Sequence, residues 1–189
     1  MTAFWVALFF VLVAEMGDKT QLVALAFATR YRTSIVITGV LIATLAVHLF
    51  SVLLGEAAGL ALPVFWINIL AGLAFIGFGL WTLRGDELAD EDELSSARFG
   101  PLLTVVTTFF LAELGDKTML ATVTIASQQQ SFVGVWLGST IGMVLADSIA
   151  IIAGKLLGKR LPDRLIKYGA ALLFLLSGLY TLWQAFTLP

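Results

Sequence analysis

The sequence predicts an all-α membrane protein in which six transmembrane helices form two inverted three-helix repeats. Of its 189 residues, 59% are hydrophobic, and the mean hydropathy is +0.97. Ordinary soluble domains are only about 45–50% apolar. Six apolar stretches reach the length of about 20 residues that is needed to cross the hydrocarbon layer of a bilayer. A third observation, a charged motif that occurs once in each half, predicts the repeat.

The predicted spans are separated by short segments that carry charged or turn-forming residues. In order, they are residues 4–27, 35–56, 64–83, 102–125, 133–154 and 167–186. The first span could be mistaken for a cleaved signal peptide. However, Glu15, Asp18 and Lys19 interrupt its apolar core and no basic region precedes it, so we expect a retained helix.

The positive charges predict the orientation of the spans. Nine of the eleven Lys and Arg residues lie in the first, third and fifth connections or at their borders: Arg30, Arg32, Arg84, Arg98, Lys155, Lys159, Arg160, Arg164 and Lys167. Cytoplasmic loops are enriched in Lys and Arg, whereas acidic residues have little influence. We therefore expect these three connections to be cytoplasmic and both termini to be periplasmic.

An internal repeat divides the chain. The heptapeptide at residues 14–20, AEMGDKT, recurs at residues 112–118 as AELGDKT, with six of seven positions identical. We therefore expect one three-helix repeat over residues 1–83, an acidic cytoplasmic linker over 84–101, and a second repeat over 102–189. Because each repeat crosses the membrane three times, the second must be inverted, an arrangement that is typical of secondary transporters. Channels can share it.

The repeated motif places charges where they are expensive. An ionisable residue at mid-membrane costs about 2.5–3.5 kcal/mol, and each motif has three. In a continuous helix the three share one face. They are Glu15, Asp18 and Lys19 in the first motif and Glu113, Asp116 and Lys117 in the second. If each Lys neutralises one carboxylate of its own motif, the two motifs together keep a charge of −2, which one divalent cation would balance.

Neutral oxygens near the carboxylates could complete an ion site. Gly17 and Gly115 would let the helix loosen and expose backbone carbonyls, and Thr20, Thr118 and Gln21 carry side-chain oxygens. An all-oxygen shell suits hard cations such as Ca²⁺, Mg²⁺ or Mn²⁺ and disfavours Zn²⁺ or Cu⁺. The structural alternative is a pair of intrahelical Glu–Lys bridges that join two helices.

Two further polar residues lie deep in predicted spans and occupy corresponding positions of the two repeats. Asp147 is a candidate proton carrier or outer metal ligand, or else it forms a hydrogen bond to a neighbouring hydroxyl. His48 is a candidate for proton coupling, or else it packs in a helix interface. Gly134, Gly138 and Gly142 form a stripe of small residues that predicts close helix packing.

Two copies of Glu-x-Gly-Asp-Lys-Thr in a six-helix protein of this size resemble the Gdt family of cation/proton exchangers. That family includes bacterial manganese exporters and Golgi transporters of manganese and calcium. The resemblance implies antiport of divalent cations against protons, with Glu15, Asp18, Glu113 and Asp116 as the metal-binding carboxylates. The compact length resembles the bacterial members, which implies Mn²⁺ export across the inner membrane. The motif does not separate Mn²⁺ from Ca²⁺.

Several other classes are disfavoured. The chain has no Cys and one His, which disfavours disulfide frameworks and structural zinc sites. A net charge of −2 without a basic run gives no surface for nucleic acid. No nucleophile or oxyanion arrangement is evident, so we expect a transporter with no permanent cofactor rather than an enzyme such as an intramembrane aspartyl hydrolase. A passive cation channel and a homo-oligomer stay open, and the expected partners are the lipid bilayer and the divalent ion.

Overall fold

A computed structural model describes residues 1–16, 18–84, 100–129, 131–157 and 163–187. These residues form eight helices and contain no β-strand. The helices are α1 (Thr2–Glu15), α2 (Lys19–Arg30), α3 (Thr33–Ala61), α4 (Val64–Arg84), α5 (Pro101–Glu113), α6 (Lys117–Gln129), α7 (Phe132–Leu157) and α8 (Asp163–Thr187). Nearly all of the linker predicted for residues 84–101 lies outside the described residues.

Three helices are long and apolar enough to cross a membrane, namely Thr33–Ala61, Val64–Leu83 and Phe132–Ala153. Shorter apolar helices are Thr2–Glu15, Pro101–Glu113 and the segment Ala171–Thr187. The outer surface is apolar as well, since large side chains such as Phe9, Leu70 and Leu111 are exposed. An all-helical chain with an apolar exterior is typical of a protein surrounded by lipid. The prediction of an all-helical chain is therefore confirmed, and its apolar helices are consistent with a membrane protein.

The first and fourth predicted spans are each interrupted at the charged motif. The span 4–27 consists of α1 and α2, and the span 102–125 consists of α5 and α6. Our expectation that each motif lies on one face of a continuous helix was therefore wrong. In the second motif the physical reason is visible at Gly115, whose φ of +80° belongs to a left-handed conformation that an α-helix excludes.

Helices from the two halves of the sequence pack mainly on each other. Helix α1 packs on α7, α4 packs on α8, and α3 contacts α5, α6 and α7. Small residues permit the closest approaches: a methyl group added at Gly138 would lie 2.3 Å from the carbonyl oxygen of Phe4, and one at Gly142 would lie 2.6 Å from that of Leu8. The predicted glycine stripe on α7 thus does pack tightly against α1. The two halves are interlocked rather than side by side.

Two apolar clusters form the core. The α1 cluster contains Ala3, Ala7, Ala14, Val52, Phe75, Phe78, Ala121, Ile125, Ala126, Val135 and Phe174. The α2 cluster contains Ala24, Phe27, Ala28, Val36, Val40, Ala43, Val105, Phe109 and Ile151. Along α1 and α2 the α1 cluster precedes the first charged motif and the α2 cluster follows it. The charged motifs therefore lie between two apolar layers.

Helices α3 and α7 run in opposite directions through these layers. Val52 of α3 and Val135 of α7 belong to the α1 cluster. Val36, near the start of α3, and Ile151, near the end of α7, belong to the α2 cluster. Between the layers, the hydroxyl of Thr44 on α3 lies 3.3 Å from the sulfur of Met143 on α7.

Candidate cation site

The residues that end α1 and α5 at the two helix breaks have similar backbone angles. Met16 ends α1 with φ −63° and ψ 123°, and Leu114 ends α5 with φ −65° and ψ 114°. Each donates its N–H to the carbonyl oxygen four residues earlier. In both motifs the Asp N–H then donates to the carbonyl oxygen of the Glu three residues before it, at 3.0 and 3.3 Å. The repeated sequence therefore encodes a repeated local structure.

At each break, a threonine that follows the break forms a hydrogen bond with the glutamate that ends the preceding helix. Thr20, in the first turn of α2, donates to Glu15, and Thr118, in the first turn of α6, donates to Glu113 at 2.9 Å. Thr20 Oγ1 also lies 3.2 Å from Asp18 Oδ2. All of these side chains are buried. The two threonines that the sequence proposed as auxiliary groups thus contact the candidate ligand carboxylates directly.

The motifs of the two halves meet in the interior. The ammonium of Lys117, in the second motif, forms a buried ion pair with Asp18 of the first. We expected each lysine to neutralise a carboxylate of its own motif, and for Lys117 this was wrong. Because the helix breaks before it, Lys117 begins a new helix and reaches across the interface. Lys19 begins α2, but its side chain lies outside what the structure describes.

Buried carboxyl groups crowd this interface. Glu15 lies within electrostatic range of Glu113, Asp18 and Asp147, and Glu113 lies within range of Asp116 as well. All five groups are at most 5% exposed. Like charges so close together in a medium of low dielectric constant repel one another strongly. The arrangement therefore attracts positive charge.

Several of the carboxylate oxygens have no hydrogen-bond partner among the described residues. They are Glu15 Oε2, Glu113 Oε1, Asp116 Oδ2 and both oxygens of Asp147. Buried polar atoms are normally paired because an unpaired one costs about 1–3 kcal/mol, and more when it is charged. These oxygens are hard donors that suit Mn²⁺, Ca²⁺ or Mg²⁺. They form the strongest cation-attracting feature of the described chain.

The described side chains do not form a coordination shell for a metal ion. No three His, Asp or Glu side chains within the described residues converge in a geometry that could hold a metal ion. Lys117 meanwhile occupies one face of Asp18.

The remaining candidate residues have different surroundings. Gln21 is nearly buried in the first turn of α2, where its N–H donates to the carbonyl oxygen of Asp18 at 3.3 Å. Gly115 places its N–H 3.1 Å from the sulfur of Met119. Gly17 lies outside the described residues. His48 is fully buried on α3, and neither of its ring nitrogens has a hydrogen-bond partner within the described part of the chain.

The sequence reasoning expected the helix to loosen at Gly17 and Gly115 but did not predict that each span divides into two separate helices. A signal for them existed, since Asp is a preferred N-cap residue and follows a glycine in both motifs. Asp18 indeed precedes α2 with an extended backbone, φ −79° and ψ 160°. The Gly-Asp pair therefore predicts the restart of a helix better than hydropathy does.

Comparisons with known proteins point to one family. The family profile described as "Divalent cation/proton antiporter GDT1" matches residues 3–90 and again residues 101–188. A Vibrio cholerae protein described as a candidate manganese exporter is 38% identical over 176 residues, which covers 90% of this chain and 86% of the relative.

More distant relatives match over similar lengths. GDT1-like protein sll0615 of Synechocystis is 30% identical over 203 residues, covering 97% of this chain and 98% of the relative. GDT1-like protein 5 of Arabidopsis thaliana is 29% identical over 206 residues, covering 89% and 90%. No solved structure matches the chain. The resemblance indicated by the doubled motif is confirmed, and the chain belongs to the GDT1 family of divalent cation/proton antiporters.

Proposed function

We propose that this protein is a secondary active transporter that exports Mn²⁺ from the cytoplasm in exchange for protons. Membership of an antiporter family supports the exchange, and the 38% identical relative described as a candidate manganese exporter supports the choice of metal. Ca²⁺ is the alternative cargo, because the carboxylate and hydroxyl oxygens at the two motifs suit both ions.

The observation that carries the proposal is the meeting of the two motifs in a buried interior that contains unpaired carboxylate oxygens. The transported ion binds between the helix breaks, where both motifs contribute negative charge. Its ligands are Glu15, Asp18, Glu113 and Asp116. Neutral oxygens of Thr20, Thr118 and Gln21, and backbone carbonyls near Gly17 and Gly115, complete the shell.

Protons drive release because acid and metal compete for the same oxygens. When the ligand carboxylates gain protons, the ion loses the charge that holds it and leaves. Asp147 is a candidate to carry a proton near the site, since it is buried and lies within electrostatic range of Asp18. His48 holds the corresponding position in the first half and is the second candidate.

The proposed topology is six membrane crossings as two inverted repeats, 1–83 and 102–189. Two features support it. The corresponding helices α3 and α7 run in opposite directions, and the pairing of α1 with α7 has a counterpart in that of α5 with α3. Lys and Arg are concentrated in the first, third and fifth connections, which supports a cytoplasmic location for these connections and a periplasmic location for both termini. The acidic linker is then cytoplasmic, and the protein lies in the inner membrane.

Alternating access requires that the site open to one side at a time. The α1 cluster and the α2 cluster lie on opposite sides of the charged motifs, and both are packed. Rocking of one repeat against the other would separate one cluster while the other stays closed. A channel could share these layers, so coupling of Mn²⁺ to protons is the measurement that separates the two classes.

Reconstituted transport tests this function. The protein is placed in proteoliposomes with a pH gradient across the membrane and equal Mn²⁺ on both sides. We expect uphill Mn²⁺ movement with proton movement in the opposite direction, and the Glu15→Gln and Asp116→Asn variants should abolish both. Competition by Ca²⁺ and Mg²⁺ then ranks the possible cargoes.

Glu56→Gln is the matched control, because it makes the same chemical change on α3 at a half-exposed position away from the motifs. It should keep wild-type exchange. Uncoupled Mn²⁺ flow down its gradient would indicate a channel, and wild-type flux in Glu15→Gln or Asp116→Asn would refute the assignment of the ligands.

A further inference from the structure

The buried ion pair between Lys117 and Asp18 has a consequence for how the site is loaded. Lys117 is the first residue of α6, and Asp18 directly precedes α2, so the pair joins the start of a helix in one half to the start of a helix in the other. The side chain of Lys117 is 5% exposed and that of Asp18 is fully buried. The ammonium thus stands inside the cluster of carboxyl groups.

A site with this much negative charge needs a positive charge when it is empty. Five carboxyl groups are buried here, and those of Glu15, Asp18, Asp116 and Asp147 all lie within electrostatic range of Glu113. A buried carboxylate without a cation pays a desolvation penalty of several kcal/mol. Lys117 is the buried cation that the described side chains place in this cluster, and it lowers that penalty.

The same ammonium obstructs a metal ion. A divalent ion binds a carboxylate oxygen at about 2.0–2.6 Å. If Asp18 kept its contact with Lys117, two positive charges would lie a few ångströms apart in a medium of low dielectric constant, where repulsion is strong. Lys117 and the metal ion therefore compete for Asp18, and each weakens the hold of the other on this carboxylate.

We propose that Lys117 is an internal counter-cation that holds Asp18 while the site is empty and that an incoming divalent ion displaces. This inference rests on the proposed function and adds a second occupant to the same site. Lys117 keeps its charge throughout and swings on its flexible four-carbon chain. Its return to Asp18 helps to expel the metal ion, so Lys117 lowers affinity and speeds release.

Two substitutions at this position should act in opposite directions. Lys117→Met removes the competitor but keeps a side chain of similar length, and we expect it to bind Mn²⁺ about tenfold more tightly. Lys117→Arg keeps the charge and can form two parallel hydrogen bonds with a carboxylate, so it should hold Asp18 more firmly and bind Mn²⁺ about tenfold more weakly. A purely structural role predicts weaker binding in the methionine variant and near wild-type binding in the arginine variant.

Binding is measured on purified protein in lipid nanodiscs, with the electron paramagnetic resonance signal of free Mn²⁺ as the readout. Arg30→Met is the matched control, because it removes a positive charge from the exposed last turn of α2, outside the site. It should leave the affinity unchanged. In transport, Lys117→Met should lower both KM and kcat.

Thermal unfolding without metal supplies an independent measurement. Lys117→Met should be less stable than wild type when empty and should gain more stability from a fixed Mn²⁺ concentration, since stabilisation by a ligand grows with its affinity. If Lys117→Met does not fold, the arginine variant decides: weaker binding with an intact fold supports the proposal, and unchanged or tighter binding overturns it.

Unchanged or weaker Mn²⁺ binding by folded Lys117→Met also overturns the inference. This outcome leaves the proposed function standing as long as wild-type protein exchanges Mn²⁺ for protons. If wild-type protein fails to exchange them, the proposed function itself fails.

Discussion

The two halves of the molecule share one structural event and differ in its surroundings. In each half a helix stops at a glutamate, the chain passes through an extended residue, and a new helix starts at a lysine. A threonine hydroxyl then returns to the glutamate in both. The residues that end α1 and α5 also have similar backbone angles, and in both motifs the Asp N–H donates to the carbonyl oxygen of the Glu.

The helices that follow the two breaks, α2 and α6, differ in the residues after the motif. In α6, Thr122 and Thr124 donate their hydroxyls to carbonyl oxygens of their own helix. The corresponding residues of α2 are Ala24 and Ala26, and Ala24 belongs to the apolar α2 cluster. The two halves thus share the carboxylate-bearing breaks, but the hydroxyl groups of α6 are replaced by methyl groups in α2. Equivalent substitutions should have equal effects at the motif Glu and Thr residues, whose contacts match, and unequal effects outside the motifs.

Substitution of the two motif glutamates should give the largest effect and an equal one. Glu15→Gln and Glu113→Gln each remove one ligand charge at equivalent breaks, and we expect each to weaken Mn²⁺ binding by about 100-fold or more. The reason is that loss of a partner one shell further out already costs about 10–100-fold. Equilibrium Mn²⁺ binding to each purified variant checks this. If one variant binds as tightly as wild type, the two motifs do not share an ion.

His48 and Asp147 should differ sharply, although they occupy corresponding positions. Asp147 lies within electrostatic range of Asp18, whereas His48 is buried with no carboxylate partner in the described structure. We expect Asp147→Asn to lower Mn²⁺-driven proton flux by about tenfold and to flatten its pH dependence. His48→Asn should change the flux by less than about threefold.

Initial rates of proton flux in proteoliposomes, measured across a range of pH, test this difference. Equal loss in the two variants would make His48 a full partner in proton coupling. An unchanged pH profile in Asp147→Asn would remove Asp147 from the proton path.

Removal of the two threonine hydroxyls should give a smaller effect, again equal in the halves. Thr20→Val and Thr118→Val keep the shape of the side chain but lose the hydrogen bond to Glu15 or Glu113. Because partners of this kind orient the ligand, we expect each change to cost about tenfold in Mn²⁺ affinity. Isothermal titration with Mn²⁺ measures it. An effect in one half alone would show that the metal engages the motifs unequally.

Helix packing should show the smallest difference. A methyl group at Gly138 meets the backbone oxygen of Phe4 at 2.3 Å, whereas one at Gly39 meets side-chain atoms of Val105 at 2.6 and 2.8 Å. Cγ1 of Val105 can shift with its rotamer but Cβ moves only with the backbone, so we expect Gly138→Ala to cost about 2–3 kcal/mol and Gly39→Ala about 1–2 kcal/mol. Thermal unfolding in detergent compares them. Gly77→Ala, with open space around it, should cost nothing through packing, and equal losses at Gly39 and Gly138 would contradict the distinction.

The burial of the motif carboxylates could be predicted from the sequence, because ionisable residues inside apolar stretches must find an interior or one another. The helix breaks could not be found in the same way. Hydropathy over a 20-residue window does not register a single residue such as Gly115, whose φ is +80°. The capping signal of Asp18 was available but was outweighed by the length of the apolar stretch.

The pairing of Lys117 with Asp18 was beyond the reach of sequence reasoning. Sequence spacing predicts side-chain partners three or four residues apart within one motif, and this prediction assumes an unbroken helix. The actual partner is 99 positions away and is brought near by tertiary packing of the two halves. Such a contact depends on the relative placement of two helix starts, which neither motif encodes by itself.

The closed apolar layers on both sides of the charged motifs also bear on which ions can enter. In the proposed transporter, an ion that reaches carboxylates enclosed between the α1 cluster and the α2 cluster must leave most of its hydration shell behind. Mg²⁺ gives up its water molecules reluctantly, whereas larger ions do so more readily. In the proposed transporter, the cost of dehydration therefore disfavours Mg²⁺ before the ligands discriminate between the ions by size.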